Sequence, residues 1–243
     1  MTAQPDSPRS RRERPAKPAL TREGIVAAAL GVLRAEGLRK VTMRRLAQEL
    51  DTGPASLYVY VRNTDELHAA VLDELLGTVA PAPAEGTWRE RLEQVLTSYT
   101  AMLFAHPELA RSALTARPSG PHYLDLVETL LALLDEGGVP SAQAAWGVDL
   151  LLQHATATAA EHSGPEADRP DDRDALARAL HDAREQTHPH IAALAGPLLS
   201  GPADTRLSWG FRVLISGIGQ TAVPAGDDAP GAGPAEPAQG DTP

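Results

Sequence analysis

Residues 42–60 read TMRRLAQELDTGPASLYVY, and their spacing decides the fold. Met43, Leu46, Ala47 and Leu50 recur at the i, i+3, i+4, i+7 interval of one helix face, so a helix of about two turns is expected after Thr42. Asp51-Thr52-Gly53 is turn chemistry. Pro54 directly after it suits the first position of a further helix, where its missing N–H costs nothing. That third helix is expected to run to about Val61, with Leu57 and Val61 turned to the core. Two short helices joined by a three-residue turn containing glycine are the arrangement that lays a second helix in the DNA major groove.

Working outward, Thr21 is a good N-cap for a supporting helix that places Val26, Ala29, Leu30 and Leu33 on one face before Gly37 stops it. On the other side Asn63 is placed to cap a link helix over about 64–79, with Glu66 as its capping-box partner and His68, Val71, Leu72 and Leu75 on a common face. Pro81, Pro83 and Gly86 mark a boundary. Beyond it, helices are expected at about 87–105, 107–116, 122–137, 141–162, 171–186 and 204–220, while residues 187–203 carry no decisive pattern. The expected fold is all-α, an N-terminal three-helix helix-turn-helix domain at 20–80 and a C-terminal helical ligand-binding and dimerisation domain at 85–222. A disordered basic arm at 1–19 and a disordered Pro/Gly/Ala-rich tail at 223–243 are expected to flank them.

The net charge of −10 hides an asymmetry. Residues 1–62 carry twelve Lys/Arg against six Asp/Glu and the remainder ten against twenty-six, so the first stretch is +6 and the rest −16. A basic module that meets a polyanion, carried on an acidic body, has this pattern; so has a basic tail on an ordinary domain. No apolar run approaches the roughly 18 to 20 residues that a membrane span requires, and no apolar block follows the basic start, so a cytoplasmic location is expected. With no cysteine, thiolate metal sites and cysteine nucleophiles are excluded.

The polar residues of the two short helices suit DNA. Arg44 and Arg45 near the start of the second helix can reach phosphate or a guanine edge, and Thr42 can offer phosphate a hydroxyl. Pro54, Ala55, Ser56 and Tyr58 lie at the leading end of the third helix. Ala55 suits a thymine methyl, and the phenols of Tyr58 and Tyr60 suit phosphate. A plain helical hairpin with surface tyrosines is the alternative reading of the same residues.

The run TREGIVAAALGVLRAEGLRKVTMRRLAQELDTGPASLYVYVRNTDELHAAVLDELL, within residues 20–76, resembles the DNA-binding domain of the TetR family of repressors. The resemblance implies DNA-contacting roles for Thr42, Arg44, Ser56, Tyr58 and Tyr60. Two departures stand out: the turn reads Asp51-Thr52-Gly53 where Gly-Val-Ser is usual, and Thr64 replaces a common phosphate-contacting lysine, which shifts weight to Arg62 and the basic arm. Further on, HPELARSALTARPSGPHYLDLVETLLALLDEGG from His106, and RLSWGFRVLISGIG, resemble the tetracycline-repressor type of regulatory domain. Ala113 stands where that type carries a histidine for a metal–drug chelate, so magnesium–tetracycline recognition is not implied.

In the C-terminal region Met102, Phe104, His106, Trp146, Asp149, Gln153 and His154 are candidates for a mostly apolar ligand pocket with a few orienting polar groups; His162 and Trp209 belong to the same pool. Core packing or a solvated face accounts for each of them equally. His188 and His190 have no metal-ligand spacing, and no phosphate loop, GxSxG or HExxH motif is present, so no metal, cofactor or catalysis is expected. The expected function is a repressor that binds palindromic double-stranded operator DNA as a homodimer and is released by a small organic inducer. A ligand-independent regulator governed by a protein partner or by its abundance is the alternative. For the dimer, the resemblance implies that the helices at about 141–162 and 204–220 pair with their copies in a second subunit; Leu207, Phe211, Leu214, Ile215 and Ile218 form the expected contact stripe, with Gly210 and Gly217 permitting close approach.

Overall fold

The computed structural model describes residues 19–114, 118–161 and 170–224, and all regular elements among them are helical. Residues 1–18 of the basic arm, 225–243 of the tail, the Thr115-Ala116-Arg117 run and His162 lie outside the described residues.

Helix α1 (Arg22–Glu36) starts where the Thr21 hydroxyl accepts the Gly24 N–H at 3.0 Å, and stops at Gly37, whose φ of 84° a side chain would resist. Its inner face buries Ile25, Val26, Ala29, Val32 and Leu33. A 3₁₀ turn, Leu38–Lys40, lowers Leu38 and Val41 into the same core. Helices α2 (Met43–Glu49) and α3 (Pro54–Leu57) follow, then α4 (Thr64–Leu76). Helix α3 is a single turn rather than a helix to Val61. Tyr60 and Val61 both donate to the Leu57 carbonyl, closing the chain tightly so that Val61 enters the core and Asn63 can extend to cap α4. Asn63 Oδ1 accepts the Glu66 N–H at 2.8 Å, but the Glu66 carboxylate takes the Arg62 N–H and Nε rather than returning to Asn63, so half of the expected capping box forms.

Helix α5 (Trp88–Ala105) opens with a complete capping box between Thr87 and Glu90. Helices α6 (Pro107–Ala113), α7 (Pro121–Glu136) and α8 (Ser141–Glu161) follow, and α8 is the hub, packed on α5, α6, α7 and α11 (Ala203–Gln220). Leu92, Leu96, Leu103, Leu130, Leu134, Leu151 and Phe211 are fully enclosed there, each worth about 1.5–3 kcal/mol of apolar transfer. Helix α9 (Pro170–His181) is shorter than expected, and residues 187–203 contain α10 (Pro189–Leu199). Gly196-Pro197 reads as punctuation, yet Pro197 lies inside the last turn of α10. Helix α4 packs on α1 at one side and on α5, α6 and α7 at the other. Among the described residues no helix is long and apolar enough to cross a membrane.

The stripe expected to meet a second subunit faces inward. Phe211, Ile215 and Ile218 are buried in the chain's own core, and Leu207 and Leu214 pack against it. Helical periodicity locates an apolar face without naming its partner, and here the partner is α8 of the same chain.

Candidate nucleic-acid interface and regulatory helices

Thr42 sits in extended backbone and its hydroxyl accepts the Arg45 N–H at 3.2 Å, which fixes the start of α2. The buried Met43, Leu46 and Ala47 then turn Arg44 outward, where it is exposed. Arg45, one position on, is held: its guanidinium bonds Glu36 Oε1 at 2.7 and 3.0 Å and Glu49 Oε2 at 2.8 Å. These bonds raise the Arg45 pKa and lower that of Glu36, so the group bolts α2 to the end of α1. Arg45 and Arg44, grouped by sequence, therefore occupy different environments.

Asp51 takes the left-handed conformation, φ 48°, that the usual glycine of this turn would adopt at no cost, and Asp is among the residues that tolerate it. Gly53 and Pro54 then launch α3. With Leu57 fully buried as its anchor, Pro54, Ala55, Ser56, Tyr58 and Tyr60 all stand exposed on one short projection, Tyr58 at 53% and Tyr60 at 37%. Such exposure of two tyrosines beside each other gains nothing from burial and leaves both hydroxyls available for phosphate. Arg62 is also exposed, paired with Glu66 at 3.0 Å, an ion pair whose attachment to the Arg62 N–H lowers the Glu66 pKa further than the side chain alone.

The C-terminal candidates separate. Met102 is buried on α5, whereas Phe104 is exposed. His106 links α5 to α6; burial, and secondarily Arg34 of α1, hold its pKa below the ordinary histidine range. Trp146, Asp149 and Gln153 lie on the outward face of α8. His154 points the other way, edge-on to Phe211 at 5.6 Å, filling the space that Gly210 leaves on α11; its Nε2 is buried and finds no partner among the described residues. An open groove of about 540 Å³ along the outer side of α5 is lined by Glu90, Glu93, Gln94, Thr97 and Ser98 and contains none of the expected pocket residues.

Sequence reasoning missed the most enclosed polar pair, Tyr99 Oη with Thr156 Oγ1, 2.7 Å apart between α5 and α8. Burial pushes the Tyr99 phenol pKa up, and the Thr156 bond opposes it. The signal lay in the buried face Leu92, Val95, Leu96, Tyr99, Thr100, Met102, Leu103, where two positions carry a hydroxyl; Thr100 returns its own to the Leu96 carbonyl, which leaves Tyr99 to find a partner on another helix. Ser208 of α11 likewise bonds Glu93 of α5 at 2.5 Å.

This arrangement, a helix-turn-helix with an exposed polar tip joined by one helix to a regulatory bundle, defines a DNA-binding transcriptional regulator. The family profile described as "Bacterial regulatory proteins, tetR family" matches residues 25–71, and "Tetracyclin repressor-like, C-terminal domain" matches residues 80–222. An HTH-type transcriptional regulator of Saccharopolyspora erythraea is 32% identical over 210 residues, covering 85% of this chain and 87% of that relative. The protein SCO7704 of Streptomyces coelicolor superposes with a TM-score of 0.74 at 61% identity, covering 86% of this chain and all of the other. ActR of Streptomyces coelicolor, solved in complex with actinorhodin, gives 0.72 at 40% identity over 83% of this chain and 96% of its own. The chain belongs to the TetR family and is a transcriptional regulator with a tetracycline-repressor-like C-terminal domain.

Proposed function

We propose that the protein is a cytoplasmic, non-enzymatic homodimer that holds a near-palindromic operator and lets it go when a weakly polar organic molecule enters the regulatory unit. Residues 20–80 would bind DNA and residues 85–222 would dimerise and take the ligand. The observation that carries the dimer is the exposure of large apolar side chains on the packed helices α8 and α11: Trp146 and Trp209 are 63% and 64% exposed, and Leu150 and Val213, one turn further on, are exposed as well. An exposed apolar face of this kind on packed helices suits a second copy of itself. Trp146, Asp149 and Gln153 then serve subunit contact.

Thr42, Arg44, Pro54, Ala55, Ser56, Tyr58, Tyr60 and Arg62 are the proposed DNA contacts, with Arg45 supporting them from behind. Two copies of this tip on a two-fold axis must span roughly 34–36 Å, which imposes the palindrome. For the ligand, the largely apolar interior, with the buried hydroxyls of Tyr99, Thr100 and Thr156 as its few polar groups, supports an apolar molecule oriented by few hydrogen bonds, with Met102 and His154 as proposed contacts. The actinorhodin complex of ActR makes that compound the first probe to try. Calorimetry on the protein with and without an operator duplex, selected from a random DNA pool, tests the scheme. A probe that binds must bind more weakly to the DNA complex by the factor with which it weakens DNA binding. Equal affinity for both forms rejects induction by it.

A further inference from the structure

Asp73, in the last turn of α4, is a carboxylate only 6% exposed. Burying such a group is costly unless it is bonded. Its Oδ1 accepts the Tyr123 N–H at 2.9 Å, and Oδ2 lies 3.8 Å from His122 Nδ1. Pro121, His122 and Tyr123 are the first three residues of α7, whose own preceding residue, Gly120, offers no side chain to cap it. A negative group at this end of a helix meets both the unpaired N–H groups and the dipole. The cap of α7 is therefore supplied by another helix.

Two glycines are explained by this contact and by nothing in their backbones. Gly120 has φ −84° and Gly77, just past α4, has φ −61°, values any residue adopts. A Cβ on Gly120 would collide with the Asp73 carboxylate, and one on Gly77 would lie 2.5 Å from His122 Cδ2. A serine or aspartate at position 120, the ordinary local cap, is excluded by the carboxylate that replaces it. The first turn of α7 is thus keyed to α4 at two points, Asp73 against Gly120 and His122 against Gly77, and these fix how far α4 can slide along α7.

We propose that Asp73 is the positioning residue of the repressor's coupling path: it makes the first turn of α7 and the DNA-bearing α4 move as one, so that displacement of α7 shifts the recognition tip. This rests on the reading that the regulatory unit controls DNA binding. Because coupling is reciprocal, operator binding must be felt at the start of α7 without any ligand. Hydrogen exchange of the full-length protein, with and without its selected operator duplex, reads this at residues 119–124. In the wild type, DNA slows exchange there by about 5-fold or more. Asp73→Ala and Gly120→Ala, which break the contact from opposite helices, should both abolish that DNA-dependent change, and the double variant should add nothing. Asp73→Asn, which retains an acceptor oxygen and the shape, should keep part of it.

If Asp73 merely stabilises the fold, the variants melt lower but the DNA-dependent change persists, and the proposal fails. A wild type that binds operator with no change at 119–124 also overturns it, independently of how the variants fold. A wild type that binds no DNA from the pool overturns the regulator reading beneath it.

Discussion

The units at either end of α4 are built on opposite plans. In the N-terminal unit a small buried frame of Ile25, Leu46, Leu57, Val61 and Leu67 holds Arg44, Ser56, Tyr58 and Tyr60 outward, while Arg45 ties α2 to α1. In the regulatory unit apolar residues serve two ends at once: some close the core, as Phe211 and Ile215 do, and some stand bare on the outside, as Trp146 and Trp209 do. Polarity marks the functional side in the first unit. It does not in the second, where function is assigned by which apolar face finds which neighbour.

The strongest way to break the comparison is to make the outer face of α8 and α11 behave like an ordinary surface. Trp146→Arg with Trp209→Glu should leave the helical content and melting cooperativity of the chain intact, because neither side chain contributes to the core. Sedimentation should show a monomer, and operator affinity should fall by about 10²–10⁴-fold as two linked half-site contacts become one. A double variant that remains dimeric would mean that these tryptophans are surface residues in the plain sense.

This contrast also explains what could be read beforehand. The helix-turn-helix was legible down to single caps, with Thr21 and Asn63 both accepting the amide expected of them, because short-range chemistry determines those positions; Thr42, read only as a phosphate contact, caps α2 as well. The difference between Arg44 and Arg45 was not, since Arg45 is fixed by Glu36, nine residues away across a turn. For the same reason the α11 stripe was found but given the wrong partner, and Tyr99 drew no notice until Thr156, 57 residues distant, was placed against it. Sequence spacing specifies a face; the neighbour is tertiary information.

The two arginines give the next largest effect. Arg44→Ala should weaken operator binding by about 10-fold and reduce the slope of log affinity against log salt by about 0.9 if its contact is to phosphate. Tyr58→Phe should cost a few-fold, the worth of one hydrogen bond. Arg45→Ala should instead lower the melting temperature, by releasing α2 from Glu36 and Glu49, and leave the salt slope near that of the wild type. Equal salt-slope losses for the two arginines, measured by fluorescence anisotropy, would put Arg45 on the DNA as well.

Inside the regulatory unit the expected effect is smaller. Tyr99→Phe leaves the Thr156 hydroxyl buried without its partner and should cost on the order of 1–2 kcal/mol in urea unfolding. Adding Thr156→Val removes the stranded group, so the double variant should be less destabilised than the sum of the two singles. Strict additivity would show that the pair is not coupled in solution. Operator affinity of the ligand-free protein should change little, since neither hydroxyl is among the proposed DNA contacts.

The smallest effect tests the seam between the two units, at His106. Burial and the nearby Arg34 cation both disfavour its protonated form, so its pKa in the folded chain is below the ordinary value of 6.5. In the unfolded chain that restraint is absent and the ring binds a proton more readily. Folding stability is therefore complete above the ordinary histidine range, declines as pH falls through about 6.5, and levels off once pH is below the folded value. His106 is only half-buried, so solvent screening keeps the loss small. His106→Gln should flatten this part of the stability curve, seen as a smaller difference in melting temperature between pH 7.5 and 5.5 than the wild type shows. Arg34→Gln should flatten it less, because desolvation outweighs the charge. If the order is reversed, the seam between α1 and α6 is electrostatic rather than packed, and α1 belongs with the regulatory unit's charge balance more than with the frame that carries the DNA tip.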